Sequence, residues 1–194
     1  QNTSLIHDIL DTPSLELCLH HARFDLAVCA AEDPDLLPKV FKAYDQDRVR
    51  CTMIREKLLA LARGELADEG DTGAKRNLKF SLAAIALRRF NVDLSGEKSG
   101  ATENKDGTFT LTGNKSAWRV RYAELEGVPL CDWPEEVKRY ALDDPRWNLA
   151  IYDAQEAELI AQGGSELDGV IPDEMYQTRA AFWLHLMGVW GVRT

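Results

Sequence analysis

The sequence predicts an α/β fold. Two short apolar runs have strand character, each runs straight into a helical stretch, and the rest is dominated by helical periodicity. Leu15 to His20 alternates apolar and polar residues with a period of two, which predicts the first strand. Phe24 to Ala31, small and apolar, predicts a helix behind it, so Asp25 falls just after a strand-to-helix junction. Val49-Arg50-Cys51 reads as a second strand, and Thr52 to Arg63 as a helix carrying Ile54, Leu58, Leu59, Leu61 and Ala62 on one face and ending at Gly64. Glu65 to Arg76, rich in Gly and charge, predicts a loop.

A third helix is expected over Leu78 to Phe90, with Leu82, Ile85, Ala86 and Phe90 on one side. Asp106-Gly107, flanked by Phe109, Thr110, Leu111 and Thr112, signals a β-hairpin, an inserted arm within the Gly- and Lys-rich stretch from Ser95 to Ser116. A long helical pattern then runs from Trp133 to about Gln162, with Asp132 as its N-cap and Pro134, Glu135 and Glu136 in its first turn. Pro145 removes the bond to the Ala141 carbonyl, so a kink or break is expected near Asp144. A last helix is expected from Pro172 to Val189, carrying Ala181, Leu184, Leu186, Met187 and Trp190.

Composition narrows the function classes. With 194 residues, 45% hydrophobic and 28% charged, the chain has enough apolar residues for a substantial core, and no apolar run approaches the roughly 20 residues a membrane helix needs. Gln1 to Leu10 lacks the basic and apolar regions of a signal peptide. A net charge of -9 argues against a broad basic surface for nucleic acid, while leaving room for a small acidic site that handles it through metal ions. Cys18, Cys29, Cys51 and Cys131 form no CxxC pair and read as free thiols; Cys18, His20 and His21 supply one half of a zinc site without a second half.

Two strings carry chemistry. In Tyr140-Ala141-Leu142-Asp143-Asp144 a phenol and a carboxylate stand four apart, on one face of a helix, where they could bind a metal and orient its water. The same spacing also describes a surface tyrosine beside helix charges, and Asp25 alone also describes a capping acid.

Taken together the strings resemble the proofreading 3′-to-5′ exonucleases of family A DNA polymerases, in their phage-type form. His21-Ala22-Arg23-Phe24-Asp25 resembles the second exonuclease motif, and Tyr140 to Asp144 the third, Tyr-x-x-x-Asp. Between them Arg50-Cys51-Thr52-Met53-Ile54 resembles the segment usually written Asp-Thr-Met, with Cys51 in place of the acid, and Ser81-Leu82-Ala83 the helix that follows. The terminal Ala181 to Thr194 stretch resembles the passage into the polymerase thumb.

The resemblance implies a ribonuclease-H-like fold, a mixed sheet flanked by helices, and hydrolysis of the 3′-terminal phosphodiester of DNA with two divalent cations, Mg²⁺ or Mn²⁺. It assigns Asp144 and Asp25 as metal ligands and Tyr140 as the group that orients the attacking water. It further implies a single-stranded 3′ end as substrate, a polymerase domain in cis, a cytoplasmic location, and a division into an exonuclease domain over 1–165 and a linker helix over 166–194. Hard carboxylate oxygens suit these ions, which stabilise attacking and leaving oxygens together.

The chain departs from the family pattern in three places. The first motif, Asp-x-Glu on an opening strand, does not precede Asp25, before which lie only 24 residues. The first strands of the fold are therefore expected to be missing, the sequence to be part of a longer protein, and the isolated chain to be inactive. His21 stands where Asn is usual, reading either as a DNA contact or as a strand-end imidazole bonded to backbone. Pro145 follows Asp144 where a helix former is usual.

A weaker candidate is the group Lys98, Lys105, Lys115, Arg119 and Arg121 with Trp118 and Tyr122 interleaved, a mixture that tracks single-stranded DNA by phosphate contact and stacking, or a solvated loop. The alternatives to a nuclease are a catalytically silent module of the same fold, serving DNA binding or polymerase architecture, and an unrelated helical interaction domain.

Overall fold

The computed structural model describes residues 3–65, 78–94, 99–103, 109–113, 118, 121–162 and 173–191. Two compact units emerge, one formed by Gln1–Phe80 with Asn148–Thr194 and one by Ser81–Trp147. The architecture is predominantly helical with small sheets, broadly α/β.

In the first unit the order is α1 (Thr3–Asp11), β1 (Leu17–Leu19), α2 (Ala22–Glu32), α3 (Leu36–Asp45), β2 (Val49–Cys51) and α4 (Thr52–Ala62). β1 and β2 pair in parallel, Leu17 opposite Val49 and Leu19 opposite Cys51. A parallel pair requires a crossover, and α2 with α3 provides it. Both strands run almost directly into a helix, as expected. Arg48, buried ahead of β2, donates to the carbonyls of Leu10 and Leu15, so it satisfies the end of α1 as well as the start of β1.

α7 (Glu174–Trp190) closes this unit. Its buried residues Glu174, Thr178, Phe182 and Leu186 recur every four positions, the spacing of one helical face. Phe182 stacks on Tyr44 at 4.8 Å between ring centroids and meets Phe41 edge-on at 5.7 Å. Burying such a ring contributes roughly 1.5–3 kcal/mol. Phe182 and Leu186 of α7, which falls within the stretch expected to be a linker helix, belong to the core of the first unit.

The second unit contains α5 (Leu82–Phe90), the hairpin β3 (Ser99–Glu103) and β4 (Phe109–Gly113), and the first part of α6 (Glu135–Ala161). α5 starts four residues later than expected, because Ser81 caps it by accepting from the Ala84 backbone N–H at 3.3 Å; Asn91, at φ 56°, ends it. The hairpin pairs Ser99 with Gly113 and Glu103 with Phe109 in antiparallel register. Its Asp106-Gly107 turn lies outside the described residues, as does most of the expected loop from Glu65 to Arg76. Among the described residues the strands form two separate two-stranded sheets, one parallel and one antiparallel, in place of a single mixed sheet.

α6 corrects two expectations. Asp132 belongs to a 3₁₀ turn (Leu130–Asp132), and the carbonyl of Pro134 accepts the first helical bonds, from Val137 and Lys138. The helix also passes through Pro145 without a break. Ala141 and Pro145 are both exposed, so the carbonyl deprived of its N–H partner faces water and the proline ring finds room. Among the described residues no helix is long and apolar enough to cross a membrane.

Candidate functional site

Tyr140 and Asp144 come together in the second unit. They line a cleft of about 220 Å³ with Asp93, Glu136, Arg139, Asp143 and Trp147. Glu136, Tyr140, Asp144 and Trp147 follow each other at spacings of four, four and three, and Asp143 stands three from Tyr140 and four from Trp147, so one face of α6 forms this wall. Asp93 arrives from the segment after α5, where Phe90 packs against Trp147 at 5.9 Å between centroids. The wall therefore carries four carboxylates beside one phenol and one guanidinium. Of these residues the sequence singled out only Tyr140 and Asp144; the periodicity that pairs them also reaches Glu136 and Trp147, whereas nothing local in the sequence points to Asp93.

Asp25 lies in the first unit, in the first turn of α2, where an acid is favoured by the exposed N–H groups of the helix start. Partial burial raises its pKa, and a hydrogen bond from the His21 backbone opposes the rise. Cys51, standing where the resembled family has an acid, is buried with its thiol pushed up by burial and its Sγ donating to the His20 carbonyl at 3.2 Å.

His21 occupies the N-cap position of α2 without a side-chain capping bond. Its Nε2 accepts from Arg23 Nε at 3.0 Å, and its ring stacks on Phe24 at 5.7 Å. Burial first, then the neighbouring Arg23, His185 and Lys57, lower its pKa. Arg121 is held by Glu124 through two bonds, 2.8 Å from Nε and 2.6 Å from Nη2, with its guanidinium carbon 4.2 Å from the centre of the Trp118 ring. That charge is engaged locally. Lys98, Lys105, Lys115 and Arg119 lie outside the described residues.

The Cys18, His20, His21 group serves packing. His20 bonds Thr52 Oγ1 through Nδ1 at 3.0 Å and the Phe80 carbonyl through Nε2 at 3.1 Å, and burial pushes its pKa down to about 4. Burial pushes the Cys18 thiol up to about 11. Among the described residues no three His, Cys, Asp or Glu side chains gather to hold a metal ion.

No family model, curated protein or solved structure matches the chain.

Proposed function

We propose that the chain is a 3′-to-5′ exonuclease domain of ribonuclease-H-like type, the proofreading portion of a family A DNA polymerase. The observation that carries the reading is that Tyr140 and Asp144 line one acidic cleft from successive turns of α6, the placement the Tyr-x-x-x-Asp resemblance calls for. The delivery of Asp25 into the first turn of a helix behind a parallel strand supports it.

The donor chemistry fits Mg²⁺ or Mn²⁺, because carboxylate oxygens are the ligands such ions take, but Asp25 and Asp144 cannot fill a shell of about six oxygens. Two further carboxylates are required of an Asp-x-Glu segment, a string absent from these 194 residues. Divalent cations bound there would neutralise charge on the scissile phosphate and yield a nucleophilic hydroxide. The chain's own part is to hold: Asp144 and Asp25 each offer a carboxylate, and the Tyr140 hydroxyl hydrogen-bonds the attacking water and orients it.

The test is degradation of 3′-labelled single-stranded DNA with Mg²⁺ or Mn²⁺, by the chain alone and by the chain preceded by an Asp-x-Glu strand segment, each with and without Asp144→Ala. The expected result is negligible activity from the chain alone, and 3′-to-5′ degradation by the extended protein that Asp144→Ala reduces at least 100-fold, as expected of a metal ligand. Activity that survives Asp144→Ala would refute the assignment. An inactive extended protein that still binds the DNA would favour the silent module.

A further inference from the structure

A second cavity, of about 190 Å³, lies in the first unit where α2, α4 and α7 meet. Met53, Ile54 and Leu58 of α4 give it an apolar wall, and Arg23, Lys57 and Gln177 give it a polar one. Residues 53 and 54 stand one turn before 57 and 58, so a single face of α4 provides both characters.

Two cations, Arg23 and Lys57, line this cavity. Arg50, Arg55, Arg63 and Arg179 are all ion-paired to acidic side chains, but neither Arg23 nor Lys57 has an ion pair among the described residues. Arg23 gives its Nε to His21, and its two Nη nitrogens have no partner among the described residues. Lys57 Nζ lies 5.8 Å from the centre of the Phe80 ring. Like charges at one cavity repel, and an anion placed between them relieves that repulsion. The cavity is also separate from the Asp25 carboxylate, because positions 23 and 25 point about 200° apart around a helix.

We propose that this cavity binds a nucleoside monophosphate. The free Nη pair of Arg23 forms a planar fork matched to two phosphate oxygens, and Lys57 adds a point charge. The apolar wall accepts the face of the base. Gln177 presents both a donor and an acceptor, as a base edge requires. The site uses neither metal nor carboxylate and does not depend on the nuclease reading.

Isothermal titration calorimetry of the chain in EDTA, with dAMP and dTMP as ligands and deoxyadenosine and inorganic phosphate as comparisons, tests this directly. Saturable binding of both monophosphates is expected, at least tenfold tighter than either comparison ligand. Arg23→Ala and Lys57→Ala should each weaken binding at least tenfold, as loss of a charged hydrogen bond does. Arg23→Lys should fall between, because it keeps the charge without the fork. Asp25→Asn and Asp144→Asn should bind like the parent, which separates this site from the proposed nuclease site. Circular dichroism of each variant confirms folding, to which neither partly exposed cation is central. Absence of saturation up to about 10 mM, unchanged affinity in both alanine variants, or equal affinity for deoxyadenosine would overturn the proposal. Phosphate binding as tightly as dAMP would also overturn it, reducing the cavity to a simple anion site.

Discussion

In α6 Asn148 and Gln155, after Trp147, bury their polar groups, whereas Glu136, Arg139 and Asp144, before it, keep theirs at the surface. Asn148 accepts from Thr52 Oγ1 at 2.7 Å and donates to the Cys18 carbonyl at 2.9 Å; Gln155 donates to the Thr52 carbonyl at 3.0 Å and to Glu56 at 2.9 Å. Beside them Arg55, 1% exposed, pairs with Glu156 and with Glu174, the latter at 2.8 Å. In the other half Glu136, Arg139 and Asp144 are exposed along the cleft. A buried polar group must be matched or the fold loses stability, so the first set is committed to architecture. The second set can be changed at small cost to stability, which is the condition for residues that do chemistry.

The largest effect that would sharpen this contrast is Arg55→Ala, which leaves Glu174 buried without its partner. A loss of about 3–5 kcal/mol is expected from urea unfolding. A loss near that of a surface substitution would break the comparison. Next comes pH. His20 has a folded pKa of about 4 against an ordinary 6.5, so the unfolded chain takes up the proton first. Its contribution is complete above pH 6.5 and is lost as the pH falls toward 4, by up to about 3 kcal/mol. His20→Gln should flatten that part of a stability-against-pH curve.

Pro145→Ala restores an N–H for the Ala141 carbonyl at the join between the halves, and a gain of about 1–3 kcal/mol is expected in thermal or urea unfolding. No gain would mean that the helix needs the proline's local geometry. The smallest effect belongs to Asp144→Asn, where a change below about 1 kcal/mol is expected alongside the loss of nuclease activity in the extended protein.

The same contrast explains what could be read in advance. Alternation and helical periodicity are local, so β1, β2, α2, α4 and the hairpin pairing were all legible, and so was the Tyr140–Asp144 face. α1 and α3 were missed. α3 carries the pattern Leu36, Val40, Ala43, Tyr44, all buried, and also holds Pro38, a residue that breaks a helix in its interior. Pro38 is the third residue of the helix, where no intrahelical N–H bond is lost. The α7 face was also misjudged: Leu184, Met187 and Trp190 fit a helical stripe, yet they are exposed and the buried stripe runs through Thr178 and Glu174. Polar residues that bury only because a distant partner receives them leave no local pattern. Arg55 with Glu174 is of that kind; the cavity at Arg23 and Lys57 escapes a local reading because three helices distant in sequence build it.

Because the first unit is assembled from both ends of the chain, the order of synthesis matters. Arg55 and Glu174 are 119 positions apart, and the second unit lies between them. At usual translation speeds, on the order of 10 s passes before the ribosome delivers the carboxylate that receives the guanidinium. During that interval the residues of the second unit are already complete, while Tyr44 waits for Phe182 and Thr52 for Asn148. The nascent first unit is then a natural client for chaperones, and a stall before α7 emerges would leave its core open.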